Sequence, residues 1–198
     1  CLSYSMWSGG LTDHLCLEGA GAAVVPFGVG NTELLIELPQ WVPFTVVSCT
    51  PSYVSLLLEQ LGDGWARELW ARSVRLFLVG GEPGGSNPGL RRAAMDSLGA
   101  HMANANYGLA EVLSIFGSEC PVTGAMHFHG QDAVWVEIAD SETHRPLELA
   151  EGAVGEVLLT HLDREAQPLV RYRTNDLVRI ASVDPCACGR ASFQFEVL

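Results

Sequence analysis

Two rhythms of hydrophobic and polar positions alternate along the first half of the chain. Short apolar runs read as strands: "AAVVPF" (22–27), "FTVVSC" (44–49), "VRLFLV" (74–79) and "HMANANYG" (101–108). Between them lie stretches with helical spacing and helix punctuation. "NTELLIELPQW" (31–41) offers Asn31 or Thr32 as N-cap with Glu33 in the first turn. "PSYVSLLLEQLG" (51–62) opens on Pro51 and closes on Gly62, and "PGLRRAAMDSLG" (88–99) has the same proline-to-glycine frame. "LAEVLSIFG" (109–117) reads as a turn or the start of a helix. This alternation predicts an α/β fold: an open parallel sheet with flanking helices. Ligands of such sheets bind at loops after the strands, here "GGEPGG" (80–85) and "NYGLAE" (106–111).

The second half changes rhythm. "AVWVEIAD" (133–140), "EVLLTHL" (156–162), "PLVRYRT" (168–174) and "DLVRIAS" (176–182) predict a β-rich unit, an antiparallel sheet or small barrel. The division expected is an α/β subdomain over 1–118 and a β-rich subdomain over 119–198.

Composition narrows the partners. With 48% hydrophobic and 17% charged residues the chain can bury a core and is not disordered. Its 23 acidic against 11 basic residues give a net charge of -12, the wrong footprint for nucleic acid or an anionic membrane. No apolar run approaches a membrane span of about 20 residues. "CLSYSMWSGG" lacks the basic-then-apolar order of a signal peptide, so a reducing, cytoplasmic setting is expected, with Cys16 and Cys49 as free buried thiols. All basic residues are arginines. That excludes a lysine Schiff base and the lysine of a Walker-type loop from this chain.

Four motifs carry chemistry. The glycines of "GGEPGG" let backbone approach a flat or phosphorylated ligand, though they also suit a plain strand-to-helix turn. In "YGLAE", Tyr107 can stack on a planar group and Glu111 can hold a hard cation, or Glu111 is a solvated first-turn acid. In "RYRTND", Asp176 suits ribose hydroxyls, against a reading as an exposed strand end turning at Asn175. In "CACGR", Cys186 and Cys188 could join Cys120 and either His127 or His129 in a Cys3His zinc site, against surface thiols and a buried Cys120. The remaining histidines have no nucleophile near in sequence, and no G-x-S-x-G elbow supports a hydrolase.

The order "GVGNTE", "CTPSY", "GGEP", "YGLAE", "GEVLLTHLDREAQPLVRYRTNDL", "CACGR" resembles the phenylacetate–CoA ligase family of adenylate-forming enzymes, over about Ser8 to Arg190. The resemblance implies that a carboxylic acid, aryl or acyl, is activated by ATP to an acyl-adenylate and passed to coenzyme A. It implies that Gly80, Gly81, Glu82 and Pro83 contact adenine, that Tyr107 beside Gly108 stacks on it, that Glu111 helps bind Mg2+ and that Asp176 holds the ribose. It also implies a structural zinc on Cys120, His127, Cys186 and Cys188, with His129 the alternate.

Departures from the family pattern qualify this. Ala110 stands where the family has a hydroxyl residue that meets the AMP phosphate. The family's phosphate loop and C-terminal lysine domain have no counterpart here, so a piece of a longer enzyme is expected, with weak nucleotide binding and little turnover by itself. Other readings are an adenylating enzyme that uses another acceptor, or a non-catalytic zinc-stabilised domain. A homodimer is compatible with all three. Trp7, Tyr53 and Phe77 are apolar candidates for lining the acid pocket.

Overall fold

The computed structural model describes residues 1–5 and 7–198. They form two compact units, Cys1–Asn106 and Tyr107–Leu198.

In the first unit, strands β1 (Val46–Cys49), β2 (Leu76–Gly80) and the beginning of β3 (His101–Leu109) pair in parallel. Helices α1 (Ser8–Gly19), α2 (Thr32–Glu37), α3 (Pro51–Leu61), α4 (Trp65–Ser73) and α5 (Pro88–Leu98) accompany them. The predicted caps form. The Thr50 hydroxyl accepts from the Tyr53 N–H ahead of Pro51, and Asn87 Oδ1 accepts from the N–H groups of Gly89 and Leu90. Asn31 is the N-cap position of α2 but makes no side-chain cap bond. Helix α3 buries Val54, Leu57 and Leu61, a three-and-four spacing that turns one face inward. Trp70 is fully buried from α4, its indole N–H on the Ile36 carbonyl and its ring edge-on to Phe44.

Three expectations fail in this unit. Residues 22–27 are not a strand but an unpaired stretch, with Ala22, Ala23, Val25 and Pro26 exposed; Pro26 brings no N–H to a ladder. Cys16 is exposed on α1, whereas Cys49 is buried as expected. Phe77 is fully buried in the core, and Trp7 is 69% exposed. Helices α1 and α4 escape the sequence reading. The start of α1 is glycine-rich, it has no side-chain cap, and Gly10 is its one buried residue, so no apolar stripe announces it.

The second unit is antiparallel. The end of β3 pairs with β4 (Leu113–Glu119), and the ladder continues through β5 (Met126–Phe128), β9 (Gln194–Val197), β8 (Tyr172–Ser182), β7 (Val154–His161) and β6 (Val134–Ala139). Its core gathers Phe116, Phe128 and Phe195 with Val157, Leu159, Val178 and Ile180. "LAEVLSIFG" corrects to a turn at 110–112 followed by strand β4. Gly108 and Gly117 disfavour helix, while Ile115 and Phe116 suit a pleated, half-buried surface. "PLVRYRT" and "DLVRIAS" are not two strands; 172–182 is one strand with an irregularity at Asn175 (φ 61°). Among the described residues no helix is long and apolar enough to cross a membrane.

Candidate functional site

The "GGEP" residues belong to the first unit. Gly80 ends β2 opposite Asn106, and a Cβ there would stand 2.3 Å from Asn106 Oδ1, so strand pairing alone demands glycine. Gly81, Glu82 and Pro83 follow in an exposed turn. The Glu82 carboxylate accepts a 2.6 Å bond from the Ser52 N–H in the first turn of α3. It caps that helix, where a negative charge is favoured by the orphan N–H groups and the helix dipole. Its side chain is therefore already engaged, and the exposed backbone of the turn is what remains for a ligand.

The same unit has a cavity of about 150 Å3 lined by, among others, Tyr4, Asp13, His14, Phe27, Phe44 and Ser48. Asp13 crosses it by hydrogen bonds, its two oxygens accepting from the Ser48 hydroxyl at 2.6 Å and the Asn106 amide at 2.9 Å. None of Trp7, Tyr53 and Phe77 lines this cavity.

Tyr107, Gly108, Glu111 and Asp176 belong to the second unit. The Tyr107 ring packs edge-on against Phe116, 4.8 Å between centroids, and tilts against Phe195 at 5.6 Å. Its hydroxyl donates to Asp176 Oδ2 at 2.8 Å. Burial first, then that bond to a carboxylate, pushes the phenol far above its ordinary pKa, so Tyr107 stays a neutral donor. The pair at the adenine and ribose positions of the resemblance is thus joined directly. Gly108 has a structural reason of its own: a Cβ would lie 2.0 Å from the Ser114 carbonyl oxygen across the hairpin.

Glu111 and Ala110 sit exposed in the β3–β4 turn. Two side chains from the far end of β7 hold that turn by its carbonyls. Arg164 Nη1 donates to Glu111 O at 2.8 Å. His161 accepts the Leu169 N–H at Nδ1 (2.9 Å), which leaves Nε2–H to donate to Val112 O at 3.1 Å. The Glu111 carboxylate remains at the surface.

The four metal candidates converge. Ligand atoms of Cys120, His127, Cys186 and Cys188 all lie within 4.8 Å of one another. Cys120 Sγ is 3.7 Å from Cys186 Sγ, and Cys188 Sγ is 3.3 Å from His127 Nε2. A tetrahedral ion with bonds of about 2.3 Å to sulfur needs ligand separations of about 3.8 Å, so spacing and donor types both fit zinc. Local backbone presents these atoms. Val122 N–H points at Cys120 Sγ (3.4 Å) and Cys188 N–H at Cys186 Sγ (3.5 Å), while Cys186 and Gly189 close the second turn through backbone bonds. Burial opposes charge on Cys120, but hydrogen bonds from Thr123, Val122 and Cys186 outweigh it and bring the thiol down to about 6.

Position separates the two histidines. His127 is fully buried in the centre of β5. Its Nδ1–H faces the Ser192 carbonyl at 3.0 Å, which leaves the Nε2 lone pair toward the cysteines. His129 lies past the end of β5 and places Nε2 2.7 Å from the Ser118 hydroxyl. Sequence reasoning missed Ser192, and it missed Glu156, a carboxylate only 2% exposed within β7. The one signal for Glu156 was its place in "GEVLLT", an acid inside an otherwise apolar run.

No family model matches the chain. It is 34% identical over 189 residues, 94% of its length, to a phenylacetate-coenzyme A ligase of Thermus thermophilus, of which this covers 41%. It is 33% identical over 178 residues to the enzyme of the same name from Escherichia coli, covering 89% of this chain and 40% of that one. The fold matches a 2-hydroxyisobutyryl-CoA ligase in complex with 2-HIB-AMP, with a TM-score of 0.82 at 24% identity over 98% of this chain and 41% of that one. The chain thus spans about two fifths of the length of the curated relatives it matches. With such identity sustained along nearly its whole length, and a matching fold, the chain belongs to the phenylacetate-coenzyme A ligase family of adenylate-forming enzymes.

Proposed function

We propose that the protein to which this chain belongs is an AMP-forming carboxylate–CoA ligase, which activates an aryl or acyl acid with ATP and transfers it to coenzyme A. The observation that carries the reading is the identity to phenylacetate-coenzyme A ligases along 94% of the chain. In this reading the chain contributes the nucleoside-binding part. The Gly80 to Pro83 turn offers backbone to adenine, Tyr107 with Gly108 offers a ring, Asp176 accepts from ribose hydroxyls and Glu111 holds Mg2+ at the phosphates. Asp176 already accepts a hydrogen bond from Tyr107, so its oxygens are oriented acceptors before a ribose arrives. Mg2+ would partly neutralise phosphate charge; Glu111 is placed for this on a turn whose carbonyls are pinned. Zinc would sit on Cys120, His127, Cys186 and Cys188 and stabilise the β-rich unit, with no part in the reaction. The setting is cytoplasmic, in keeping with six free thiols and a reduced zinc site.

The test is ATP–pyrophosphate exchange by the natural protein across a panel of aryl and fatty acids, followed by thioester formation with coenzyme A. Exchange that depends on one class of acid, with thioester as product, supports the reading; no exchange with any acid overturns it. Exchange without thioester favours another acceptor. Ala110, exposed where relatives would carry a phosphate-facing hydroxyl, favours a second reading, a non-catalytic ligase-like domain. Ala110→Thr separates the two: it raises exchange in a weak enzyme and leaves a non-catalytic domain silent.

A further inference from the structure

Strand β8 does not run evenly past β7. Glu156 stands opposite Leu177 and Leu158 opposite Arg173, so residues 174–176 share the span of Val157 alone. Asn175, in the middle, has φ 61°, a left-handed conformation that residues other than glycine adopt with strain. Asp176 is the last residue of this bulge, and the bulge decides where its carboxylate stands.

The bulge is clamped from both sides. On one side the Thr174 hydroxyl donates to Val157 O at 2.9 Å and accepts the Asp176 N–H at 3.0 Å. On the other is Glu156. Its Oε1 accepts Arg173 Nε at 3.0 Å and the Asn175 N–H at 3.1 Å. Its Oε2 accepts Arg173 Nε at 3.0 Å and Nη2 at 2.9 Å. The hydrogen bonds of this buried carboxylate thus go to two residues of β8, Arg173 and Asn175. They lie just ahead of Asp176.

A buried ion pair is a poor device for stability alone, since an apolar side chain of the same size often does as well. Its use is to fix one arrangement. We propose that Glu156 is a positioning residue for Asp176: by tying Arg173 and the strained Asn175 N–H into the bulge, it sets the Asp176 carboxylate for the nucleotide ribose. The proposal deepens the ligase reading and rests on it for the ribose. The positioning itself rests on the geometry of β7 and β8.

Two measurements test it. The first compares binding of ATP and 2′,3′-dideoxy-ATP to the natural protein. The Asp176→Asn variant is expected to lower the preference for ATP about tenfold, the size expected when hydrogen bonds to a charged group are lost. Glu156→Gln is expected to lower it comparably, with the double variant no worse than either single one. A Glu156→Gln protein that melts lower yet keeps the full preference overturns the proposal, as do losses that add. Glu156→Asp, which keeps the charge but falls short of Asn175 N–H, carries the same expectation where Glu156→Gln does not fold. The second measurement needs no nucleotide: the crystal structure of whichever of the two variants folds. Loss of the Tyr107/Asp176 hydrogen bond, or of the positive φ at Asn175, supports positioning; an unmoved bulge overturns it. Should the unaltered protein not prefer ATP to the dideoxy form, the ribose role of Asp176 fails, and the crystal structure still decides what Glu156 does.

Discussion

The phenol of Tyr107 donates a 2.8 Å hydrogen bond to Asp176 Oδ2, joining residues 69 positions apart. Tyr107 stands on β3 and Asp176 on the bulge of β8, and the ring between them is wedged against Phe116 and Phe195. The two parts of that side chain do different work. Tyr107→Phe keeps the ring and removes one charge-assisted bond, at a cost of about 1.5–3 kcal/mol. Tyr107→Ala also leaves a cavity in the aromatic cluster and costs about 3–5 kcal/mol. Urea denaturation followed by near-UV circular dichroism measures both. Equal losses in the two variants mean that the ring does not pack as described.

The cysteine cluster predicts about one zinc per chain in purified protein, measured by elemental analysis. Cys186→Ser releases it, because one thiolate of four is lost and a hydroxyl is a poor substitute. Strands β5 and β9, which pair beside His127, then lose protection from hydrogen exchange. Full zinc content in that variant rules out this ligand set.

His127 and His129 make a sharper comparison. His127→Ala removes the imidazole that faces Cys188 and abolishes zinc binding; His129→Ala removes a ring bonded to Ser118 and leaves zinc content unchanged. Zinc loss in the second variant alone reverses the assignment.

Those histidines also mark how far the sequence could be read. Period and punctuation placed the parallel strands and the capped helices α3 and α5, because Pro51, Gly62, Asn87 and Gly99 act locally. They could not choose between two histidines separated by one residue; only the end of β5 at Phe128 does that. Nor could they show that residues 22–27 find no strand partner, since pairing depends on distant segments. The Glu82 carboxylate was legible as part of a loop, but not as a cap on α3, because Ser52 lies 30 residues away. Glu156 was hidden for the same reason: its partners lie on β8.

The Glu156/Arg173 pair predicts an asymmetry. Arg173 is 47% exposed at its side chain and Glu156 3%, so each is left in a different medium when the other is removed. Arg173→Met strands a buried carboxylate and costs about 3–5 kcal/mol. Glu156→Gln leaves an arginine that can turn to water, and a neutral amide in place of the acid, for about 1–2 kcal/mol. Chemical denaturation of the two variants gives the order directly; equal costs mean the carboxylate is not desolvated as the fold implies.

The same carboxylate makes stability depend on pH. Burial disfavours its charge, but the hydrogen bond from Arg173, the Asn175 N–H and the charges of Arg173 and His144 outweigh that, so its pKa in the folded protein lies below the ordinary carboxylate value. A group with a depressed folded pKa contributes its full stability above the unfolded pKa and loses it as pH falls through the folded one. Unfolding free energy measured from pH 7 downward therefore declines in the acid range, and it declines less in Glu156→Gln, which has no proton to take up there. If the two curves stay parallel over the whole acid range, Glu156 titrates alike in the folded and unfolded chain and its partners do not hold its charge.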